Sequence, residues 1–561
     1  MSAPDLSASV SIVLLPFAGH AQATTIAGLL PDLPVRWGSA QTTWTALTYS
    51  FPWSQGQEAV FAGPTGQAYS TLNEPGAAAR GSLNPLQQEA FVRVLDAWAS
   101  VARLQFSQVT ETALKVGDIR VAWTSASTVT ASGGAAWGWS NFPDDYWPSA
   151  GDVWLSRDTA SGAQSWAMGA FNYFCLLHEV GHSLGLKHPF EGRNKLPDGK
   201  DVRTFSVMSY EDPQDLLWVD VKANSDGSHT WSATPVRPTT PMLGDMLAIQ
   251  YLYGANTTYH TGDNVYSFDP SKPFYQTLWD AGGVDTLSAA DFSESCRIDL
   301  HEGAYSSLRM RSNWSQYSNL NWNSTPDLQR LYDGTDNLAM AWGTVIENAV
   351  GGRGDDELIG NSSDNVLKGG AGNDLLRGQA GIDTAVYDAP RAACSLSPTA
   401  TVWVLHDTTD GSRDVLVGME RLVFRDQALA LDLEGHAGMV ARVMGAVFGA
   451  ASVGERPDHV GMGLYFVDTK GLSMLELCAL ALGARLGPSP TPVQVVDLLY
   501  TNVVGQAPDA ATRKTFTDLL ENGNFTVGGL SVLAADTELN QTNIKLMGLA
   551  QTGLVYVPFG G

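Results

Sequence analysis

The chain has 561 residues, enough for three or four domains, and 44% of them are hydrophobic, enough for well-buried cores. Acidic residues outnumber basic ones 58 to 33 for a net charge of −25. That balance argues against nucleic acid and anionic lipid as partners, and it suits calcium, a hard cation that takes oxygen ligands.

Taken in order, residues 1–42 read as an N-terminal extension. Val10 to Ala18 is apolar and Ala21-Gln-Ala23 resembles a signal-peptidase site. The stretch before it has no positive charge and carries Asp5, so a short propeptide is the better reading. Leu47 to Phe51 alternates like a first strand. Asn84 to Ala102 has helical spacing, with Phe91, Val94, Leu95 and Trp98 on one face. Asp118–Trp123, Ala135–Trp139 and Asp152–Leu155 read as strands, and Ala167 to Gly185 as a helix. The mixture predicts an α+β domain over residues 43–256, with one sheet beside the last helix. No apolar run is long enough to span a bilayer. Cys175, Cys296, Cys394 and Cys478 form no C-x-x-C pair, so they give neither a metal framework nor a disulfide scaffold.

The last helix carries His178-Glu-Val-Gly-His-Ser-Leu-Gly-Leu-Lys-His188, which fills every fixed position of H-E-x-x-H-x-x-G-x-x-H. On a helix, His178 and His182 project from one face and can hold one metal ion. Glu179 sits beside the first ligand and off its stripe, where a general base belongs. Gly185 lets the helix stop, and the turn delivers His188 as a third ligand. Three imidazoles and an open position describe a catalytic zinc site.

Twenty residues on lies Ser206-Val-Met-Ser-Tyr210. The histidine motif followed by this methionine turn resembles the metzincin metallopeptidases. Pro189 after the third histidine, and Tyr210 two residues after Met208, are similar to the serralysin branch. The resemblance implies that Met208 lies under the ligands as a hydrophobic base. It also implies that Tyr210 coordinates zinc and swings away to stabilise the oxyanion. Substrate would add as a strand beside Ala135, Ala136, Trp137 and Gly138. Gly244 to Asn256, a helix with a glycine stop, resembles the end of a serralysin catalytic domain.

A second signature is a repeat. Gly351–Ile359, Gly360–Lys368, Gly369–Arg377 and Gly378–Val386 keep a nine-residue period near G-G-x-G-x-D-x-U-x. That period is the mark of a calcium-binding parallel β-roll, in which each nonad is half a coil. Turns one and three, with Gly351, Gly354, Asp356, Gly369, Gly372 and Asp374, are expected to bind calcium strongly. Turns two and four, with Asn365 and Asp383, and with Asn361, Ser363 and Gln379 in place of glycines, are expected to bind it weakly. The resemblance implies further calcium ligands at His260, Gly262, Asp280, Gly282, Asp285 and Glu347, although His260 stands where arginine is common.

Thr401 to Asp432 reads as strands capping the roll, which closes a domain of residues 257–432. Met439–Ala451, Ser473–Leu486, Thr491–Val503 and Ala510–Glu521 read as helices of an all-α domain over 433–561. Leu498 to Asp509 resembles a helical domain of uncertain role found on bacterial secreted and surface-layer proteins, and implies that this region binds a surface or a protein partner. The chain ends Tyr-Val-Pro-Phe-Gly-Gly, unlike the acidic and apolar tail that type I export machinery reads in serralysins. The expectation is a multidomain, extracellular zinc endopeptidase stabilised by several calcium ions and acting on proteins. The rival reading is a calcium-dependent surface or adhesion protein whose protease site is vestigial or narrowly specific.

Overall fold

The computed structural model describes residues 9–16, 19, 21–39, 43–56, 59, 61, 69, 80–112, 115–124, 136–157, 165–399 and 401–559. They fall into two compact units. One comprises residues 1–286 and 300–346, and the other 287–299 and 347–561. This division differs from expected boundaries at 256 and 432, for reasons that lie in the packing.

In the first unit, the N-terminal stretch is built into the core. Strand β1 (Val10–Ile12) pairs antiparallel with β2 (Val35–Trp37), and helix α1 (Ala23–Leu29) lies between them in sequence. Ile26, Leu29, Leu30 and Trp37 are fully buried. Trp37 Nε1 donates to Ser183 O at 2.8 Å, and Arg36 Nη1 to Leu252 O at 2.6 Å. Residues 21–39, read from the sequence as part of an N-terminal extension or propeptide, are thus packed into this unit. Ile26, Leu29, Leu30 and Trp37 are the large side chains that carry this packing.

Strands β3 (Thr45–Ser50), β4 (Leu104–Gln108), β5 (Ile119–Thr124), β6 (Gly138–Ser140) and β7 (Val153–Ser156) form one sheet, ordered β4-β3-β5-β7-β6. The first four in that order run parallel, and β6 closes the edge antiparallel to β7. Helix α2 (Pro85–Val101) starts with an Asn84–Gln87 capping box and Pro85 in its first turn. Trp98 on its buried face donates to Leu177 O at 3.2 Å, which ties it to α3 (Phe171–Ser183). Helix α4 (Leu243–Tyr253) stops at Gly254, whose φ is 81°. A hairpin of Leu217–Ala223 and His229–Pro235 packs its Trp231 against Trp314, in the short helix Trp314–Tyr317.

The second unit contains the roll. Glu357–Ile359 pairs parallel with Leu375–Arg377, and Val366–Lys368 with Thr384–Val386. Each pairing steps by two nonads, so one nonad is half a coil. Leu358, Leu367, Leu376 and Ala385 point inward and are fully buried. The roll continues into Arg413–Val417 on one sheet and Arg421–Val423 on the other.

The helices follow strand Ala428–Ala430. The four expected ones are present at His436–Phe448, Met474–Leu486, Pro492–Val504 and Ala510–Glu521. Pro457–Asp468, Val527–Ala535, Glu538–Asn543 and Leu546–Thr552 add to them. The chain then returns to the sheet: Leu554–Tyr556 pairs antiparallel with Ala428–Ala430. The helical segment is thus an insertion between two neighbouring strands, and its core includes Ala428, Ala430, Leu554 and Tyr556. This shared core is why roll and helices form one unit. All four cysteines are free and buried. Among the described residues, no helix is long and apolar enough to cross a membrane.

Candidate functional site

Helix α3 presents His178 and His182 one turn apart, and the chain after Gly185 brings His188 to them. Gly185 has φ 107°, and a Cβ there would stand 2.7 Å from Val35 O, so glycine is required on both counts. His178 Nε2 is 3.2 Å from His188 Nε2, and His182 Nε2 is 3.1 Å from the same atom. The three histidines form the one His/Cys/Asp/Glu group among the described residues whose donor atoms converge, all within 4.8 Å.

The opposite ring nitrogens fix the tautomers. His178 Nδ1 lies 2.8 Å from Val207 O and His182 Nδ1 2.7 Å from Leu186 O. A carbonyl only accepts, so both protons sit on Nδ1 and both Nε2 lone pairs are bare. His188 Nδ1 stands 3.0 Å from Glu191 Oε1 without hydrogen-bond geometry. Three imidazole nitrogens converging on one point suit a cation between them. Burial, then the neighbouring His188, pushes His178 down to about 3, and burial first also holds His182 well below its ordinary value. Neutral imidazole is the ligating form, so the set fits a zinc ion.

Glu179 is buried, and burial pushes its carboxyl up to about 8. Its Oε2 has no hydrogen-bond partner among the described residues. Met208 is fully buried beneath the ligands, and a Cβ at Gly181 would stand 2.6 Å from its sulfur, so glycine at 181 makes room for the methionine. Tyr210 is 45% exposed, with its ring 5.7 Å from that of His178 and 4.7 Å from that of His188. Burial, then Glu179, pushes its phenol up to about 12, so it stays a hydrogen-bond donor.

The methionine turn hangs on Asp245, which the sequence reading placed only within a closing helix. Its carboxylate accepts from Ser206 Oγ at 2.6 Å, Val207 N at 2.7 Å and Met242 N at 2.9 Å. Val207 is the residue whose carbonyl holds His178. Lys187 is a second omission: its ammonium donates to Gly28 O, His188 O and Asn194 O, which pins the third ligand to α1. Neither residue belongs to a periodic or motif pattern that would mark it.

Of the expected substrate strand, Ala135 lies outside the described residues. Ala136 precedes β6 and Trp137 enters it, donating through Nε1 to Asn172 Oδ1 at 3.2 Å. Gly138 begins β6, and a Cβ there would lie 3.6 Å from Glu179 Cγ. Strand β6, the last in the sheet order, therefore runs beside Glu179.

In the roll, the aspartates form ladders with an 18-residue step. On the first edge, Cys296 N donates to Asp356 Oδ1, Asp356 N to Asp374 Oδ1, and Asp374 N to Asp414 Oδ1. On the second, Asn365 N donates to Asp383 Oδ1, and Asp383 N to Glu420 Oε2. Asp414 and Glu420 end the ladders from outside the repeat, so the period does not reveal them. Asp374 Oδ2 and Asp383 Oδ2 are buried with no donor among the described residues. Burial pushes both carboxyls up to about 7, and Asp356 up to about 6. Buried carboxylate oxygens without donors fit a hard cation.

Asn365 behaves differently. Its Nδ2 donates to Glu347 O at 2.8 Å and to Asn361 Oδ1 at 3.1 Å. Amide hydrogens stand where the equivalent aspartates offer oxygen. Gln379 adopts φ 83° where turn three has Gly370 at 107°, a conformation that costs a non-glycine residue roughly 1–2 kcal/mol.

The remaining expected ligands gather in the first unit, apart from Glu347, which belongs to the second. Asp280 accepts from Gly282 N at 2.7 Å and Tyr266 Oη at 2.5 Å, and Asp285 accepts from Asn264 N at 2.7 Å. His260 is exposed, with φ 50°, and shares Tyr266 Oη at 2.8 Å. Gly262 lies in this loop, its carbonyl against Gly283.

Residues 69–194 match the matrixin family, residues 248–320 the peptidase M10 serralysin C-terminal family, and residues 350–385 four copies of the RTX calcium-binding nonapeptide repeat. The chain is 29% identical to serralysin of Proteus mirabilis over 336 residues, which covers 55% of the chain and 58% of that protein. It is 30% identical to serralysin B of Dickeya chrysanthemi over 326 residues, covering 54% and 60%. With metalloprotease AprA of Pseudomonas entomophila (strain L48) it shares 31% over 296 residues, covering 49% and 53%. The chain thus spans between half and three-fifths of the length of these curated relatives. From residue 69 to residue 385 it resembles the serralysin-type metallopeptidases and their RTX repeats, as its motifs implied.

Proposed function

We propose that the protein is a zinc-dependent endopeptidase of serralysin type, acting on protein substrates outside the cell and stabilised by calcium. The observation that carries this reading is the convergence of three imidazole Nε2 atoms next to Glu179, whose Oε2 has no partner among the described residues, with β6 at the end of the sheet order. His178, His182 and His188 would hold the zinc, with Tyr210 as a further ligand. Zinc bound there supplies Lewis-acid polarisation of the scissile carbonyl and lowers the pKa of water.

The chain's own groups do the rest. The β6 edge, with Ala135, Ala136, Trp137 and Gly138, takes the substrate as an added strand and fixes its register. Glu179 accepts the proton of the attacking water through its free oxygen and returns it to the leaving amine. The Tyr210 phenol, a donor at neutral pH, steadies the oxyanion. Glu179→Ala should retain zinc and lose roughly a thousandfold in casein cleavage. Full activity in that variant would remove the mechanism.

Asp356, Asp374 and Asp383 are the proposed calcium ligands of the roll, with carbonyls of Gly351, Gly354, Gly369 and Gly372. Asp280, Gly282, Asp285, His260, Gly262 and Glu347 are proposed for further ions. Export through type I machinery fits a roll that folds only where calcium is plentiful.

A second reading, a calcium-dependent surface-binding protein, draws support from the helical segment. An apolar groove there is lined by Leu499, Tyr500, Val503, Phe516 and Leu533. A zinc-loaded protein that degrades no substrate would favour this reading over the first.

A further inference from the structure

Beside the candidate active site lies a charge cluster that the proposed chemistry does not use. Arg203 and Arg237 both donate through Nη1 to one oxygen, Asp212 Oδ1. Arg330 Nη2 stands 4.0 Å from the other oxygen. Three guanidiniums share one carboxylate, so the cluster keeps an excess of positive charge. The two inner side chains are not solvated surface groups: Arg203 is 15% exposed and Arg237 10%.

Their position is held from two sides. The Arg203 guanidinium lies 5.3 Å above the Phe174 ring, and that of Arg237 lies 5.8 Å from Phe174 and 5.7 Å from Phe171. Arg203 Nε also donates to Ser209 O at 3.2 Å, next to Tyr210. Phe174 precedes His178 by one helical turn on the same face, about 5.4 Å along the axis. The pair is therefore anchored at one flank of the histidine cradle. Arg237 spends one of its five N–H groups on Asp212, and no other acceptor for it is found among the described residues.

The direction of the sheet edge says which part of a substrate meets this flank. Trp137, entering β6, bonds Asn172 at the start of α3, whereas Phe142, beyond β6, stands 5.6 Å from the His182 ring. Beta strand β6 thus runs in the same sense as α3. A strand added antiparallel to β6 runs the other way, from the Phe142 end to the Trp137 end. The residue just after the scissile bond then faces the first turns of α3, where Phe171, Phe174 and the two arginines lie.

We propose that Arg203 and Arg237 form a subsite selecting an acidic side chain at the substrate residue that follows the scissile bond. This rests on the endopeptidase reading above. A carboxylate there takes charge-assisted hydrogen bonds from the unspent guanidinium N–H groups, while a lysine meets repulsion. Asp212 holds the arginines in place and competes with the substrate for them.

The test uses the full-length, zinc- and calcium-loaded protein and three peptides that differ only in Glu, Gln or Lys after the scissile bond, with cut positions read by mass spectrometry. The wild type should show a Glu-to-Lys ratio in kcat/KM of roughly tenfold or more. The ratio should shrink towards unity in Arg237→Gln, rise in Asp212→Asn, and fall with added salt. It is taken within one preparation, so any unfolded fraction of a variant cancels. Equal Glu and Lys rates in the wild type, or a ratio that neither variant moves, would overturn the subsite while cleavage of the Gln peptide keeps the protease reading. Failure of the wild type to cut any of the three would overturn the protease reading, and this proposal with it.

Discussion

At the histidine cradle, main-chain carbonyls fix the tautomers of His178 and His182. Along the roll edges the protein supplies buried carboxylates that accept from backbone N–H groups of neighbouring turns. The cradle is held from outside: Val207 O holds the His178 ring, Leu186 O the His182 ring, and Lys187 the main-chain carbonyl of His188. The ladders instead bring like-charged groups together. Asp356, Asp374 and Asp414 stack on one edge, and burial holds all three well above the ordinary carboxylate range. The contrast leads us to expect a histidine site that keeps its shape without its ion and ladders whose stability is linked to theirs.

Selective metal removal breaks this comparison most directly. A calcium-selective chelator should abolish the β-roll circular dichroism signal, since binding at a thousand times Kd contributes about 4 kcal/mol per site. Removal of zinc alone should leave that signal intact. A roll spectrum that stays constant across a calcium titration would equate the two regions and refute the contrast.

A smaller effect is expected from Asp245→Ala, which strips the outside support from the cradle. Val207 N and Met242 N lose a buried acceptor, at a cost of about 1–3 kcal/mol each. The melting temperature of the catalytic unit should fall, and zinc affinity with it. Zinc affinity equal to wild type would mean that the cradle does not depend on that carboxylate.

The smallest effect sharpens the roll side. Asn365→Asp replaces the amide that now donates to Glu347 O and Asn361 Oδ1 with a carboxylate. It should add one calcium ion to the stoichiometry measured by equilibrium dialysis, and an unchanged count would show that the second edge is closed for another reason.

Much of the site was legible because its chemistry is tied to local spacing. His178, Glu179, His182 and His188 lie within eleven residues, and the roll repeats every nine. What stayed hidden acts across long separations. Asp245 reaches back to Ser206, Lys187 to Gly28, and Arg237 to Asp212, and no period or motif links any of these pairs. The same holds for the fold. Helix α2 announced itself by its stripe of Phe91, Val94, Leu95 and Trp98. Trp37 gave no sign that it would fill a gap under α3, and nothing local to 554–556 marks it as a strand of the roll.

That last strand has a consequence in time. Residues 428–430 acquire their second neighbour only when 554–556 arrive, after the whole helical segment has been threaded past. A chain appearing from its N-terminus would therefore hold an open, apolar sheet edge until residues 554–556 emerge, and such an edge invites pairing with the wrong strand. The closing residues work as a clasp: the roll cannot finish before the helices have emerged, and a shortened chain would leave the edge exposed for good.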